Sequence, residues 1–171
     1  MLTARRGNTG DARSLVPRSG NDCVYTLKEL ALRICGSLPI AGRALEPCSG
    51  DGAFLEALSY SEAHTIDACE LAQGIDFFNY ILKVDWIVAN PPWSKFAEFL
   101  EHSLEISDNV VFLVTLNHFT TKKRLRLIKE AGFGFQEIRL IDTPKNFPQS
   151  GFQIVWVWLQ RNWKGECKWE M

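Results

Sequence analysis

The residues best suited to chemistry are Asn90-Pro91-Pro92-Trp93, which follow the apolar run Val84-Asp85-Trp86-Ile87-Val88-Ala89. Two consecutive prolines remove two N–H donors and stiffen the turn. The Asn90 side-chain oxygen and the Pro91 carbonyl can then form a rigid pair of acceptors, a geometry that fits an NH2 group. Accepting both of its hydrogens draws the nitrogen lone pair out of conjugation and aims it at an electrophile, which is electrostatic preorganisation combined with positioning. Trp93 offers a flat surface on which a planar substrate can stack. A stiff turn that merely starts the next helix is the plain alternative.

Three further groups precede it. In Glu46-Pro47-Cys48-Ser49-Gly50-Asp51-Gly52 the two glycines allow positive φ and close approach of a ligand, and the helix that follows offers free N–H groups to a carboxylate. Glu70 ends Asp67-Ala68-Cys69-Glu70, where a carboxylate can accept from both hydroxyls of a ribose. Asp76 can accept from an adenine amino group and Phe77 can cover the ring face. Each alone reads equally as a tight turn, a solvated glutamate, or a loop aspartate beside a core phenylalanine; their order is what matters.

The elements that must position these groups alternate. A helix is predicted from Thr26, which can act as its cap with Glu29 three residues on, followed by Leu27, Leu30, Ala31, Ile34 and Leu38 at helical spacing. Strands are expected over 43–47, 64–70, 84–89, 110–114, 135–141 and 153–159, with helices after Gly52, over 94–106 and over 121–131. Too few residues separate the second and third strands for a full crossover helix and another long strand. The last two strands can pair as a hairpin. The sum is an α/β chain with a mostly parallel sheet between helix layers, and its chemical residues fall at strand carboxyl ends.

Bulk properties bound the partners. The 171 residues suit one domain, read as a basic arm over 1–20, a catalytic domain over 21–165 and a tail over 166–171. Nineteen basic against twenty acidic residues leave a net charge of -1, so any contact with nucleic acid must come from a local patch. Five cysteines without paired spacing read as reduced thiols of a cytoplasmic protein and exclude a C-x-x-C zinc or redox site. No run is long and apolar enough to span a bilayer, and no signal peptide is recognised. The G-x-G-x-x-G of a dehydrogenase and the G-x-S-x-G of a serine hydrolase are both missing.

In the order Glu46 to Gly52, Glu70, Asp76-Phe77, Asn90 to Trp93, the sequence resembles class I S-adenosylmethionine-dependent methyltransferases. Its NPPW tetrapeptide resembles that of the amino-methylating branch, which includes DNA adenine-N6 methyltransferases of phages and mobile elements. The resemblance covers about residues 22–163 and implies a Rossmann-like three-layer α/β/α fold with an antiparallel C-terminal hairpin. It further implies S-adenosylmethionine as cofactor. Glu46, Pro47, Cys48, Gly50, Asp51 and Gly52 would wrap its methionine part, Glu70 with Leu71 would hold the ribose, Asp76 and Phe77 the adenine, and Asn90 to Trp93 the target amine. Asn21 to Thr26 resembles the branch's N-terminal cofactor-contacting motif, although Leu27 stands where a proline is common. The interval from Glu70 to Asp76 is shorter than usual.

Adenine in DNA is the favoured target, because a flipped base needs an aromatic surface such as Trp93 to replace its stacking. Phe147 and Phe152 are candidates for the opposite wall, and Lys122, Lys123 and Arg124 for phosphate contacts, against the plainer readings of loop anchors and a solvated helix face. No block large enough for target recognition follows the NPPW segment, which leaves weak sequence selectivity, action on single strands, or specificity borrowed from a partner or a second copy as the alternatives. RNA amines, a protein glutamine amide, or a silent methyltransferase-like subunit that only binds nucleic acid stand as alternatives.

Overall fold

Two near-continuous apolar runs, Val84–Ala89 and Val110 to Val114, can be satisfied only where both faces of a strand are covered, and they become the centre of the sheet. The computed structural model describes residues 24–149 and 151–171. The arm over 1–20 lies outside the described residues, as does the first half of the Asn21 to Thr26 motif.

Helix α1 (Lys28–Gly36) leads to β1 (Ala41–Glu46), α2 (Ala53–Leu58), β2 (Glu62–Ala68), β3 (Val84–Ala89), α3 (Phe96–Ile106) and β4 (Ser107–Thr115). Then come α4 (Lys122–Glu130), β5 (Phe133–Ile141), β6 (Ile154–Arg161) and β7 (Lys168–Glu170). The strand order is β2-β1-β3-β4-β6-β5-β7. β6 runs antiparallel to β4 and β5, and the remaining pairs are parallel. The fold is a Rossmann-like three-layer α/β/α sandwich with an antiparallel C-terminal hairpin.

Alternation along the strands sorts the core into two halves. Val110, Phe112 and Val114 of β4 face α3 and α4, together with Ile87, Phe96, Phe99, Leu100 and Ile128. Val111 and Leu113 face the other way, toward Ala31, Ile34, Phe54 and Leu58 of α1 and α2. Burying so many aliphatic and aromatic side chains, at about 25 cal/mol per Å² of apolar surface, is the main force holding the layers together.

From β1 the chain moves outward to β2, then returns across β1 to β3 without a helix. Two 3-10 turns, Leu71–Gln73 and Phe77–Asn79, make that return. It is pinned at Tyr80. Tyr80 Oη donates to Asp67 Oδ2 at 2.7 Å, where Arg43 Nε also donates at 2.6 Å, and His102 Nε2 meets the Tyr80 carbonyl at 2.9 Å. The reversal of direction between β1 and β3 is the topological switch point at which open α/β sheets bind ligands.

One expectation is corrected. The N-cap of α1 is Leu27, with no side-chain cap, and Thr26 is buried one residue before it. Within the tail, β7 pairs Lys168 to Glu170 alongside Glu137 to Arg139, a strand of three residues that is too short to show a period of two.

Candidate active site

Every strand that ends at the switch point delivers a polar group. Glu46, at the end of β1, is 2% exposed, and its Oε2 atom is buried without a hydrogen-bond partner. Burial pushes that carboxyl up to about 8, with Asp51 and Glu70 adding to the rise. The Leu55 backbone N–H, in the first turn of α2, works the other way and favours the charged form of the same carboxyl. A buried carboxyl with an orphan oxygen is a polar group that only a partner brought into the cleft can satisfy.

The turn that follows is held by its own backbone and by Glu70. Gly52 N–H donates to the Ser49 carbonyl at 2.7 Å, and Ser49 N–H to Cys69 at 3.0 Å. Gly50 and Gly52 have φ of 51° and 85°, the left-handed region where a side chain would strain the chain. At Gly50 a Cβ would also stand 3.1 Å from the Tyr25 ring, which lies over the turn. Glu70 Oε2 accepts the Gly50 N–H at 2.8 Å while Oε1 accepts Ala72 N–H at 3.0 Å, so one carboxylate joins the glycine turn to the end of β2. Leu71 beside it is exposed.

Asn90 extends from β3 into the same cleft, which is lined by Val24, Thr26, Glu46, Cys48, Gly50 and Asp51 among others. Its Nδ2 donates to the Val24 carbonyl at 2.9 Å, which leaves Oδ1 as the side-chain atom that can accept. The Asn90 carbonyl takes the Cys48 thiol at 3.5 Å, and the Pro92 carbonyl takes Lys95 N–H at 3.0 Å. Burial, with Glu46 and Glu70 nearby, holds that thiol well above its ordinary range, so it stays a donor. Pro47 and Pro91 are buried and Pro92 half-buried, which gives the loop stiff walls. Asn146, from the loop between β5 and β6, donates to the Tyr25 carbonyl at 2.8 Å, so two asparagines strap residues 24–25 across the cleft.

The remaining expected residues are spread around this cleft and beyond it. Phe77 is 2% exposed and stacks on Phe99 at 5.0 Å, with His102 edge-on at 4.7 Å. Asp76 caps the turn that buries it, accepting Phe78 N–H at 3.0 Å. Phe147 is buried in the core beside Trp93, with rings 6.3 Å apart, whereas Phe152 is exposed, so the two do not form one wall. Lys122 and Lys123 are exposed on α4, but Arg124 turns inward, donating to the His118 carbonyl at 2.9 Å and lying 5.1 Å over the Phe96 ring. His118, which the sequence reading passed over, sits against half-buried Trp93 with ring centres 5.7 Å apart. A lone histidine three residues past a buried strand carries no spacing signal. A larger cavity, between Lys83, Glu101, Glu105 and Arg161, opens at the opposite ends of the strands and shares no residue with this cleft.

The architecture has known counterparts. A candidate RNA methyltransferase of Pyrococcus horikoshii superposes with a TM-score of 0.60 at 17% identity, over 78% of this chain and 82% of that one. A class I S-adenosylmethionine-dependent methyltransferase of Listeria monocytogenes, also a candidate assignment, gives 0.57 at 12% identity, over 84% and 63%. The fold is that of the class I methyltransferases. The tRNA m1G37 methyltransferase of M. jannaschii matches with 0.60 at 16% identity over 82% of this chain, which spans 50% of its length. A modification subunit of a candidate type I restriction enzyme from Vibrio vulnificus gives 0.59 at 16% identity, and there this chain spans 45% of the subunit. No protein-family model and no curated protein matches the sequence. Among the described residues no helix is long and apolar enough to cross a membrane, and no cluster of side chains could hold a metal ion.

Proposed function

We propose that this chain is an S-adenosylmethionine-dependent N-methyltransferase acting on nucleic acid, with the exocyclic amine of adenine in DNA as its target. The observation that carries the reading is that the glycine turn and Asn90 line one cleft at the switch point of a class I methyltransferase fold.

The residues fit the cofactor. Glu46 Oε2 is the buried, unpartnered acceptor that a ligand ammonium group would satisfy. Gly50 and Gly52 let a ligand approach the backbone, and the half-buried Glu70 carboxylate, already fixed by Gly50 and Ala72, is oriented for ribose hydroxyls. Asp76 stands at the next turn toward the adenine end. Bound there, S-adenosylmethionine would supply an activated methyl group.

The acceptor side is built by Asn90 and Pro91. Because Nδ2 is committed to Val24, Oδ1 and the Pro91 carbonyl can take both hydrogens of an NH2 group, leaving its lone pair for the methyl carbon; the displaced proton then leaves to solvent. Trp93 stacks on the base, and Lys122 and Lys123 contact phosphates. RNA amines offer the same group, and two of the similar folds described above belong to RNA or tRNA methyltransferases. Thermal unfolding tests the cofactor half. S-adenosylmethionine should raise the Tm of the parent chain and fail to raise that of Glu70→Ala or Asp51→Ala; an unchanged parent Tm would remove the reading.

A further inference from the structure

Two prolines in succession leave the loop from Asn90 to Trp93 without the N–H groups by which most turns are tied down. It must be held through its carbonyls. Cys48 holds that of Asn90 and Lys95 that of Pro92. Trp93 itself is held by His118, whose ring packs against its indole with ring centres 5.7 Å apart.

We propose that His118 is a positioning residue that locks Trp93, and through it the whole acceptor loop, in the conformation needed to present an amine. The proposal rests on the amine-accepting reading of that loop. His118 reaches it from the 3-10 turn Leu116–His118 at the end of β4, the strand next to β3. Its ring packs on Trp93 at 5.7 Å and edge-on against Phe96 at 5.0 Å. Thr115 anchors the ring at Nδ1, with its Oγ1 2.7 Å and its carbonyl 3.2 Å away. Arg124 grips the His118 carbonyl at 2.9 Å, so the inward turn of that arginine serves the same loop rather than a phosphate.

The charges facing the ring are few. Arg124 of α4 is the charged neighbour; Thr115, Trp93 and Phe96 bring none. Burial first, and Arg124 second, lower the imidazole below its ordinary 6.5, so the ring is neutral at pH 7. A neutral ring keeps a positive charge away from a nitrogen that becomes positive as it takes up a methyl group.

The test uses the full chain labelled with 5-fluorotryptophan, with the Trp93 fluorine line assigned by its loss in Trp93→Phe. In His118→Ala the Trp93 line should shift or split while those of Trp156 and Trp158, on the opposite face of the sheet, hold position. In His118→Gln, which keeps a donor, it should move back toward the parent. The unaltered chain supplies a second reading that no folding failure can spoil: its Trp93 line should titrate with an acid midpoint below 6.5. A Trp93 line indifferent to His118→Ala, or flat down to about pH 5, overturns the proposal. In methyl transfer, His118→Ala should lower kcat by about tenfold or more with the cofactor Kd within about twofold, and an unchanged kcat also overturns it. Should the parent transfer no methyl group at all, the enzymatic reading fails, and the fluorine lines still decide what His118 holds.

Discussion

The side-chain amide of Asn90 donates to the carbonyl of Val24 at 2.9 Å across 66 positions of sequence, so the residue that would present the substrate amine also closes the roof of the cofactor cleft. A carboxylate of the same shape cannot donate. Asn90→Asp should therefore lose both the strap and the acceptor geometry, with kcat reduced by about 100-fold or more, as when one preorganised polar group of an active site is removed. Steady-state methyl transfer checks this, and a fall in kcat of less than threefold would speak against the role of Oδ1.

Glu46 makes stability depend on pH. Its folded carboxyl, raised to about 8, stays protonated where the unfolded chain has already ionised. The stability it contributes is full below the ordinary glutamate range and is lost as pH rises from there to about 8. Glu46→Gln should thus stabilise the cofactor-free protein by roughly 4 kcal/mol at pH 8 and hardly at all at pH 4. The same variant should bind S-adenosylmethionine more weakly. Urea unfolding at the two pH values measures the first effect; equal differences at both would show that the carboxyl is not buried as described.

Phe77 separates two roles cleanly. As a core residue stacked on Phe99, its replacement by alanine should cost about 3–5 kcal/mol of stability. Were the ring instead part of the cofactor site, Phe77→Ala would weaken S-adenosylmethionine binding while leaving the urea midpoint nearly unchanged.

Asp67 ties the helix-free return between β2 and β3 to β1. Its carboxyl is held below the usual range, by Arg43 first and with help from Tyr80, so its contribution is present above that range and disappears as pH falls through it. Asp67→Asn should cost about 1 kcal/mol at pH 7 and progressively less in acid, read by denaturant unfolding. A constant difference across pH would contradict the pairing.

On α4 the three basic residues should behave differently. Lys122→Ala with Lys123→Ala should leave stability unchanged and flatten the salt dependence of nucleic-acid binding, whereas Arg124→Ala should lower Tm because it removes the clamp on His118. Equal behaviour of all three would return Arg124 to the surface.

The fold was legible where residues repeat with a clear period. Val84–Ala89 matched its strand at both ends, and the apolar run in β4 foretold a strand buried on both faces. Strand ends also brought Glu46, Glu70 and Asn90 to one level of the sheet. What escaped was set by tertiary contacts. Leu27 rather than Thr26 begins α1 because Thr26 is drawn into the cleft under the strap, and Phe77 turned inward because the missing helix left Phe99 and His102 to be covered. His118 gave no sign at all, since its importance lies in standing beside Trp93, a neighbour 25 residues away in sequence but adjacent across β3 and β4.

The most direct test of the central claim is transfer of tritiated methyl from S-adenosylmethionine to separate pools of DNA, RNA and protein by the full chain. The account predicts label in nucleic acid, recovered as an N-methylated base and as N6-methyladenine from DNA, and lost with Asn90→Ala. Label only in protein, no label in any pool, or transfer undiminished in Asn90→Ala would contradict it.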